Sequence, residues 1–569
     1  MKKIIIIIIV FVCYSCDDRI LDISSQDQVS SAQVWKDPNL IENYVNGRYN
    51  ELPHGFIKWA GGLKFSAITD ESFFPGQAHI LNKFIKGGLT ADGNDMHFYG
   101  SLWLDAYKGI YNCSLFEENL IDDVGDPERI KQLVAEVKFL RAWFYVELIS
   151  RYGPVPLIKE TFTLEDDLTL DRASVEEVVA YIVEELNLAI LDLPENQIGG
   201  DFGKVTKPAA IALKVRALMY LASPLFIGTA NPHEKWGAVA TACEELFLYR
   251  NTLSEDYKGL FLNPSDPEVL FFKQFISDVV SDFNTSNVID LMRYPSGFGG
   301  KLNEEGEHVN QYFIDSYETI DGEIPVKRYT GSTANLQPVL NALAISYDPQ
   351  NPYKNRDPRL KYSVLYDGTT FSGRALEFWE GGKDSRGGID PGGSTTTGYG
   401  IRKSLDEGWT KESGASSEQP WVYMRLSEFF LTYAEAQYHL GFTAVAEEYV
   451  DKVRSRVGVE MPPIATSLVG MDLLDKIKHE RKIELAFEGN RWYDSRRWGD
   501  VVANFSQNIV GVKIEKDNVT EAKSYVYFVQ DQRGNFPEHQ QLFPIPASEM
   551  TKICWRWDQN PGYFQGSCN

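Results

Sequence analysis

Apolar residues recur along this chain at helical spacing in long stretches, each then broken by turn-forming residues. From Arg129 to Ser150 the positions Leu133, Val137, Leu140, Phe144 and Leu148 step by three and four, which draws one apolar stripe along a helix. Gly153 and Pro154 end it. A second helix is predicted from Val175 to Leu191, with Ser174 and Glu177 spaced as a capping box. A comparable pair runs from Ala209 to Ala222 and from Trp236 to Leu248, and its alanine-rich faces permit close helix contact. The third pair, Glu428 to Leu440 and Thr443 to Val457, flanks Gly441. It places Ala434, Ala436, Ala444 and Ala446 where antiparallel helices cross, much as in tetratricopeptide repeats. The pattern predicts a mainly α fold built on tetratricopeptide-like helix pairs; amphipathic helices packed without repeat symmetry are the alternative.

Between the second and third pairs, roughly residues 251–420 are rich in Gly, Pro, Asp and Tyr and carry no sustained period. Gly381-Gly382 through Gly400 reads as exposed loop. Long loops carried on a rigid scaffold are where binding sites tend to sit, so a ligand region is expected here.

The N-terminus has its own pattern. Lys2 and Lys3 precede an apolar stretch from Ile4 to Val12, and Ser15 stands before Cys16. That stretch is far short of the about 20 residues a spanning helix needs, but it has the length of a signal-peptide core. Residues 1–15 are therefore expected to be a lipoprotein signal, although Cys13 stands where such a signal usually has Leu. Ser15-Cys16 resembles the end of a lipobox, so Cys16 is expected to become the acylated lipid anchor and 16–569 the mature chain; cleavage that releases a soluble protein is the alternative.

Composition narrows the partners. The 80 acidic residues outnumber the 56 basic ones, for a net charge of -24, which argues against nucleic acid or anionic lipid as the main ligand because both need a basic footprint. Aromatic residues make up 13% of the chain, enough flat apolar faces for both core and recognition. Without Cys13 and Cys16 four cysteines remain, none in CxxC spacing, so a zinc ribbon is unsupported. Cys554 and Cys568 could close a small loop in an oxidising compartment or stay as separate thiols.

Several segments resemble the SusD/RagB family. They are Arg141-Ala142-Trp143-Phe144-Tyr145 followed by Arg151-Tyr152-Gly153-Pro154-Val155-Pro156-Leu157; Asn355-Arg356-Asp357-Pro358-Arg359-Leu360; Thr397-Gly398-Tyr399-Gly400; and Arg425-Leu426-Ser427-Glu428. The run Glu480-Arg481-Lys482-Ile483-Glu484-Leu485-Ala486-Phe487-Glu488-Gly489-Asn490-Arg491-Trp492-Tyr493-Asp494 is the most distinctive, and Phe543-Pro544-Ile545-Pro546 and Asn560-Pro561-Gly562-Tyr563 close the chain as in that family. The resemblance implies an outer-membrane lipoprotein, anchored to lipid through Cys16. It would capture an oligosaccharide and deliver it to a SusC-like TonB-dependent transporter; a peptide cargo on the same scaffold is the alternative. The Glu480–Asp494 run itself reads as a helix, terminated by Gly489 and fixed by internal ion pairs and Trp492, and not as a ligand site.

In relatives the aromatic platforms come from two regions. One corresponds here to the loop after Thr69-Asp70-Glu71, with Phe73, Phe74 and His79; the other, in the irregular middle, holds Tyr294, Phe298, Tyr329 and Trp379. Core packing or a partner interface is the alternative use of each. Trp103 and Tyr107, four apart on a helix, are assigned to the core.

No catalytic signature emerges. His233-Glu234 lacks the second His of a zincin, no G-x-S-x-G elbow occurs, and neither Gly203-Lys204 nor Gly300-Lys301 completes a P-loop. A surface glycoside hydrolase is the remaining enzymatic alternative, since such an enzyme needs only two suitably spaced carboxylates. No cofactor is expected. The acidic loop at Glu304-Glu305-Gly306-Glu307 reproduces no calcium-binding pattern and reads as solvated surface.

Overall fold

Helices form wherever the sequence shows the three–four apolar step. The computed structural model describes residues 31–55, 65–75, 80–91, 100–121, 124–163, 165–166, 169–276, 287–302, 306–385, 395–410, 412, 416–464, 470–553 and 555–564. The signal segment, Cys16, His79, Cys554 and Cys568 lie outside them. The long helices are α1 (Pro38–Tyr49), α2 (Gly100–Asn119), α3 (Pro127–Tyr152), α4 (Val175–Asp192), α5 (Lys207–Ala222) and α6 (Pro232–Phe247). They continue with α7 (Leu426–His439), α8 (Thr443–Arg454), α9 (Met471–Glu484) and α10 (Asn490–Arg497).

Local chemistry sets their ends. The Asp126 carboxylate accepts from the Glu128 N–H to start α3, Pro127 occupies the first turn, and Gly153 stops the helix at φ 72°. Ser174 and Glu177 form the expected reciprocal capping box of α4. The predicted stripe of α3 is buried from Leu133 to Leu148. Gly109 of α2 lets the Phe144 ring lie against its backbone, where a Cβ would collide with it. From α2 to α8 each helix packs on the next, and α9 rests on α7 and α8, a mainly α scaffold of tetratricopeptide-like pairs. Trp103 is buried at 3% exposure, and the Tyr107 hydroxyl donates to the Pro156 carbonyl at 2.9 Å.

The irregular middle contains more order than its sequence shows. Strands from the middle pair with strands from outside it: β1 (Ser72–Phe73) comes before it, β2 (Val269–Lys273), β3 (His308–Val309), β4 (Val326–Ser332), β5 (Asn335–Leu340), β6 (Val364–Leu365) and β7 (Gly400–Ile401) belong to it, and β8 (Trp421–Arg425), β9 (Ile509–Lys516) and β10 (Lys523–Asp531) follow it. One four-stranded sheet runs β1-β3-β7-β6 and another runs β9-β10-β5-β4, while β8 pairs with β2. β1, β3, β6 and β7 hold only two residues each, too few for period-two alternation to register. The second sheet brings residues almost 200 positions apart together, with Leu336 opposite Tyr527. Its inner face closes a second apolar cluster formed by Val309, Phe313, Tyr317, Tyr399, Val512 and Tyr527.

The Glu480–Asp494 run departs from expectation. Helix α9 ends at Glu484, and Gly489, at φ 90°, caps the start of α10 instead of ending one continuous helix. Phe487 at φ 62° shares the turn, and its N–H is accepted by Glu71 at 2.9 Å. Glu71 is fully buried, and burial pushes its carboxyl up to about 7. Next to it, Asp70 accepts both Arg491 nitrogens at 2.8 and 2.9 Å and Lys482 at 3.0 Å; these cations outweigh burial and hold it well below the usual carboxylate range.

The ion pairs are mostly not internal to this run. Glu480 and Glu484 accept from Arg359 at 2.5 and 2.9 Å, and Glu480 also accepts from Arg454 at 2.8 Å. Arg425 donates to Glu268, Glu484 and Glu488 at 2.6 to 2.7 Å. Arg454 reaches Glu318 at 2.9 Å, and Arg456 joins Glu268 at 2.9 Å. The network ties the middle region to α8 and α9, and every Arg and Glu in it is buried except Glu488, which is partly exposed. Of the expected internal pairs, Arg481 with Asp494 is present at 2.9 Å, and Trp492 is fully buried.

Candidate functional site

The aromatic residues singled out in the sequence occupy three separate places. Phe73 sits on β1, buried, edge-on to His308 at 5.7 Å, while Phe74 is partly buried against the main helical core. Tyr294 is fully buried among Phe371 and Trp409, at 4.8 and 4.9 Å between ring centroids. Phe298 lies beside it, half-buried, with the Arg374 guanidinium 4.1 Å over its ring and that guanidinium paired to Asp384 at 2.6 Å. Neither Phe73 nor Tyr294 presents a face to solvent in this conformation. Tyr329 and Trp379 are half-buried on the second cluster.

That second cluster borders an open cleft of about 600 Å³, large enough for several sugar units. Three segments build it: the turn around Tyr353, the turn Tyr366–Thr369, and the start of β10 at Lys523 and Tyr525. The Tyr353 turn is pinned from below by Arg356, which donates to the carbonyls of Pro352, Ile314 and Tyr317 at 2.6 to 2.8 Å. The second turn is held open by Asp367-Gly368: the Asp367 carboxylate accepts from the Phe378 N–H at 3.0 Å, and Gly368 takes φ 82°. On β10, period two puts Tyr525 on the same face as core Tyr527.

The walls are tyrosine. The rings of Tyr353 and Tyr366 lie 4.5 Å apart between centroids and within 30° of parallel, and Tyr525 stands nearly perpendicular to Tyr353 at 6.2 Å. All three are half-buried and line the cleft. Burial pushes the Tyr525 phenol up to about 12 and the Tyr353 phenol higher still, which keeps both hydroxyls protonated and hydrogen-bonding. Lys523 pairs with Asp367 at 2.5 Å and Glu521 pairs with Lys516, while exposed Lys354 adds a further cation to the wall. Lys516 in turn lies 4.7 Å over Trp379, which places Trp379 beside the rim. Beneath the floor, hydroxyls and amides form a connected chain through Tyr399 and Gln311 to Asp315, to which Tyr329 also donates at 2.7 Å.

Among the described residues no group of His, Cys, Asp and Glu is arranged to hold a metal ion. Of the acidic loop, Glu304 and Glu305 lie outside the described residues, and Glu307 is buried, paired to Arg293 at 2.7 Å and accepting from the Ser66 hydroxyl at 2.7 Å, so Glu307 is core and not solvated surface. No described helix is long and apolar enough to cross a membrane. A smaller cleft of about 440 Å³ is lined by Val512 to Ile514 of β9 with Phe378, Thr395 and Phe528, without a comparable stack of rings.

Sequence reasoning missed Tyr353, Tyr366 and Tyr525. The turn signals Asn351-Pro352 and Asp367-Gly368 mark the first two as loop tyrosines within the region already suspected. Tyr525 lies outside that region, and nothing local to it points to the cleft.

Known proteins place these features in a lineage. Residues 267–563 match the model of the SusD family, and residues 20–221 match a model described as "Starch-binding associating with outer membrane". A SusD-like protein of Formosa agariphila is 22% identical over 525 residues, covering 87% of this chain and 89% of its own. A solved SusD-like protein of Bacteroides fragilis is 24% identical, superimposes with a TM-score of 0.78, and covers 96% of this chain and 99% of its own. A second from the same species, described as a SusD-like carbohydrate-binding protein, is 25% identical with a TM-score of 0.73, covering 91% and 98%. With more than half of its length matched by the family's own model, this chain belongs to the SusD family.

Proposed function

We propose that this chain is a surface lipoprotein of the outer membrane that captures an oligosaccharide in the Tyr353–Tyr366–Tyr525 cleft and delivers it to a SusC-like TonB-dependent transporter. The tyrosine-walled cleft carries this reading. Sugars offer apolar C–H faces and many hydroxyls, and the cleft offers ring faces beside Gln350, Asn351 and Thr369. If each ring covers roughly 50–100 Å² of sugar, burial contributes about 1–2.5 kcal/mol per ring. Two or three rings then yield millimolar to micromolar capture, weak enough for onward release. Both carboxylates of the cleft, Asp367 and Glu521, are engaged by lysines, an arrangement suited to holding a neutral ligand. The carbohydrate-binding relative from Bacteroides fragilis and the starch-binding description of the N-terminal family model support the same cargo class.

Calorimetric titration of the chain starting after Cys16 tests the reading, with maltoheptaose first, then other neutral oligosaccharides and peptides, each mixture checked for breakdown. Saturable binding of one sugar class without turnover is expected. Peptide binding alone, or cleavage of the sugar, would replace it. The anchor has its own test: Cys16→Ala is expected to shift the protein from the membrane to the soluble fraction, because each buried CH₂ of an acyl chain contributes about 0.8 kcal/mol. Retention through an alkaline wash would refute the lipid attachment.

A further inference from the structure

Tyr353 meets both other rings of the cleft, and the two segments that carry those rings are linked separately, through one carboxylate. Asp367 follows Tyr366 directly, and its two oxygens point to different segments. Oδ1 accepts from the Phe378 N–H at 3.0 Å, next to Trp379, and Oδ2 accepts from Lys523 Nζ at 2.5 Å, two residues before Tyr525. Period two puts Lys523 on the face of β10 that carries Tyr525 and Tyr527, so the ammonium crosses to the turn on the side of the Tyr525 ring. The backbone of the turn is tied to Leu376, with the Gly368 N–H donating to the Leu376 carbonyl at 2.8 Å and the Leu376 N–H to the Thr369 carbonyl at 2.9 Å. Those bonds shape the turn without reaching β10. Among the described residues, no hydrogen bond or ion pair other than that of Asp367 with Lys523 joins Tyr366–Thr369 to β10.

We propose that Asp367 is a positioning residue for the cleft: with Lys523 it clamps the Tyr366 turn to β10 and so sets the separation of the Tyr366 and Tyr525 walls between which the sugar is held. This rests on the cleft being the sugar site. At 5% exposure Asp367 offers a ligand almost no surface of its own, so it acts through the segments it joins. Its carboxylate is also held from two sides. It cannot turn toward or away from β10 without giving up either the Phe378 N–H or the ammonium, and a lost cation is poorly replaced by water around a side chain only 2% exposed. Burial first, then the charges of Asp367 and Asp348, lift the Tyr525 phenol to about 12, which marks how near Asp367 stands to that ring. Loss of Lys523 leaves the turn shaped but unattached to β10. Loss of the Asp367 charge has the same consequence from the other end.

Fluorotyrosine placed singly at position 366 or 525 of the full chain reads the two walls without any ligand. Each position is expected to give one sharp fluorine line in the otherwise native protein. Lys523→Met should broaden or split the line at 366 and Asp367→Asn the line at 525, and Lys523→Arg should keep both sharp. Lines that shift but stay single and sharp in Lys523→Met and Asp367→Asn would report lost charge alone and overturn the clamp, whichever sugar the protein takes. With maltoheptaose, Lys523→Met should weaken binding roughly tenfold, on the order of one ring's share. Lys523→Arg should recover most of that, and the losses of Lys523→Met and Asp367→Asn should not add in the double variant. Additive losses would make Lys523 a direct ligand contact and end the clamp. Where Tyr366→Ala abolishes sugar binding while Asp367→Asn leaves lines and affinity unchanged, the cleft stands and the clamp falls; sugar binding indifferent to Tyr366→Ala removes the cleft itself, and with it any part for Asp367 in recognition.

Discussion

Replacing Arg425 by Met is expected to lower the unfolding free energy by about 3–5 kcal/mol, read from urea denaturation with the slope unchanged. The Arg425 guanidinium is 1% exposed and meets three carboxylates, those of Glu268, Glu484 and Glu488, as well as the Glu484 carbonyl at 2.7 Å. Met fills much of the space but leaves those acids with a cation missing, in a place where water does not replace it. Arg425→Lys should restore only part of the loss, since one ammonium cannot reproduce a planar fork that bonds two acids along separate edges. The effect also has a pH signature. The Glu484 and Glu488 carboxyls are held low because Arg456, Arg425 and their neighbours outweigh burial. A depressed carboxyl contributes stability above its unfolded value of 4.5 and loses it as the pH falls. The gap between native and variant proteins should therefore narrow in acid, and a constant gap would show that packing and not charge sets the loss.

The second large effect is on ligand affinity. The double variant Tyr353→Ala with Tyr366→Ala removes both members of the near-parallel pair and should abolish measurable sugar binding by calorimetry. Two rings at about 1–2.5 kcal/mol each correspond to a loss of roughly 30-fold or more. Tyr366→Phe should retain most of the affinity, because the ring face stays. Tyr353→Phe should cost more than Tyr366→Phe, because it removes a hydroxyl engaged with Tyr399. Undiminished binding by a double variant with native unfolding behaviour would move the site elsewhere, with the Phe378–Phe528 side of β9 next in line.

The helical scaffold was legible in the sequence because each helix carries its own evidence. The stripe from Leu133 to Leu148 and the Ser174–Glu177 cap are local patterns, and the structure reproduces both to within a few residues. The turn at Leu485–Gly489 was misread for a related reason. Charges alternating with apolar residues suit a helix, but Phe487 adopts a left-handed conformation that only a distant acceptor, Glu71, makes worthwhile. The cleft was legible in location and not in membership. Tyr329 and Trp379 lie close to it, whereas Tyr294, equally plausible as a loop tyrosine, is sealed among Phe371 and Trp409. Which face of a short strand or turn looks outward depends on partners far away in sequence, as Tyr525 opposite the 350s loop illustrates.

The buried arginine–glutamate network also has a mechanical meaning. Arg359 follows the Tyr353 turn by six residues and is clamped to Glu480 and Glu484 of α9, while Glu318 is clamped to Arg454 of α8. A load applied to the wall of the cleft passes into the helix pairs through these charged struts. On the proposed reading of the cleft as the sugar site, pocket and scaffold travel as one piece, and release calls for a tug on the sugar itself more than for a swing of the protein around it.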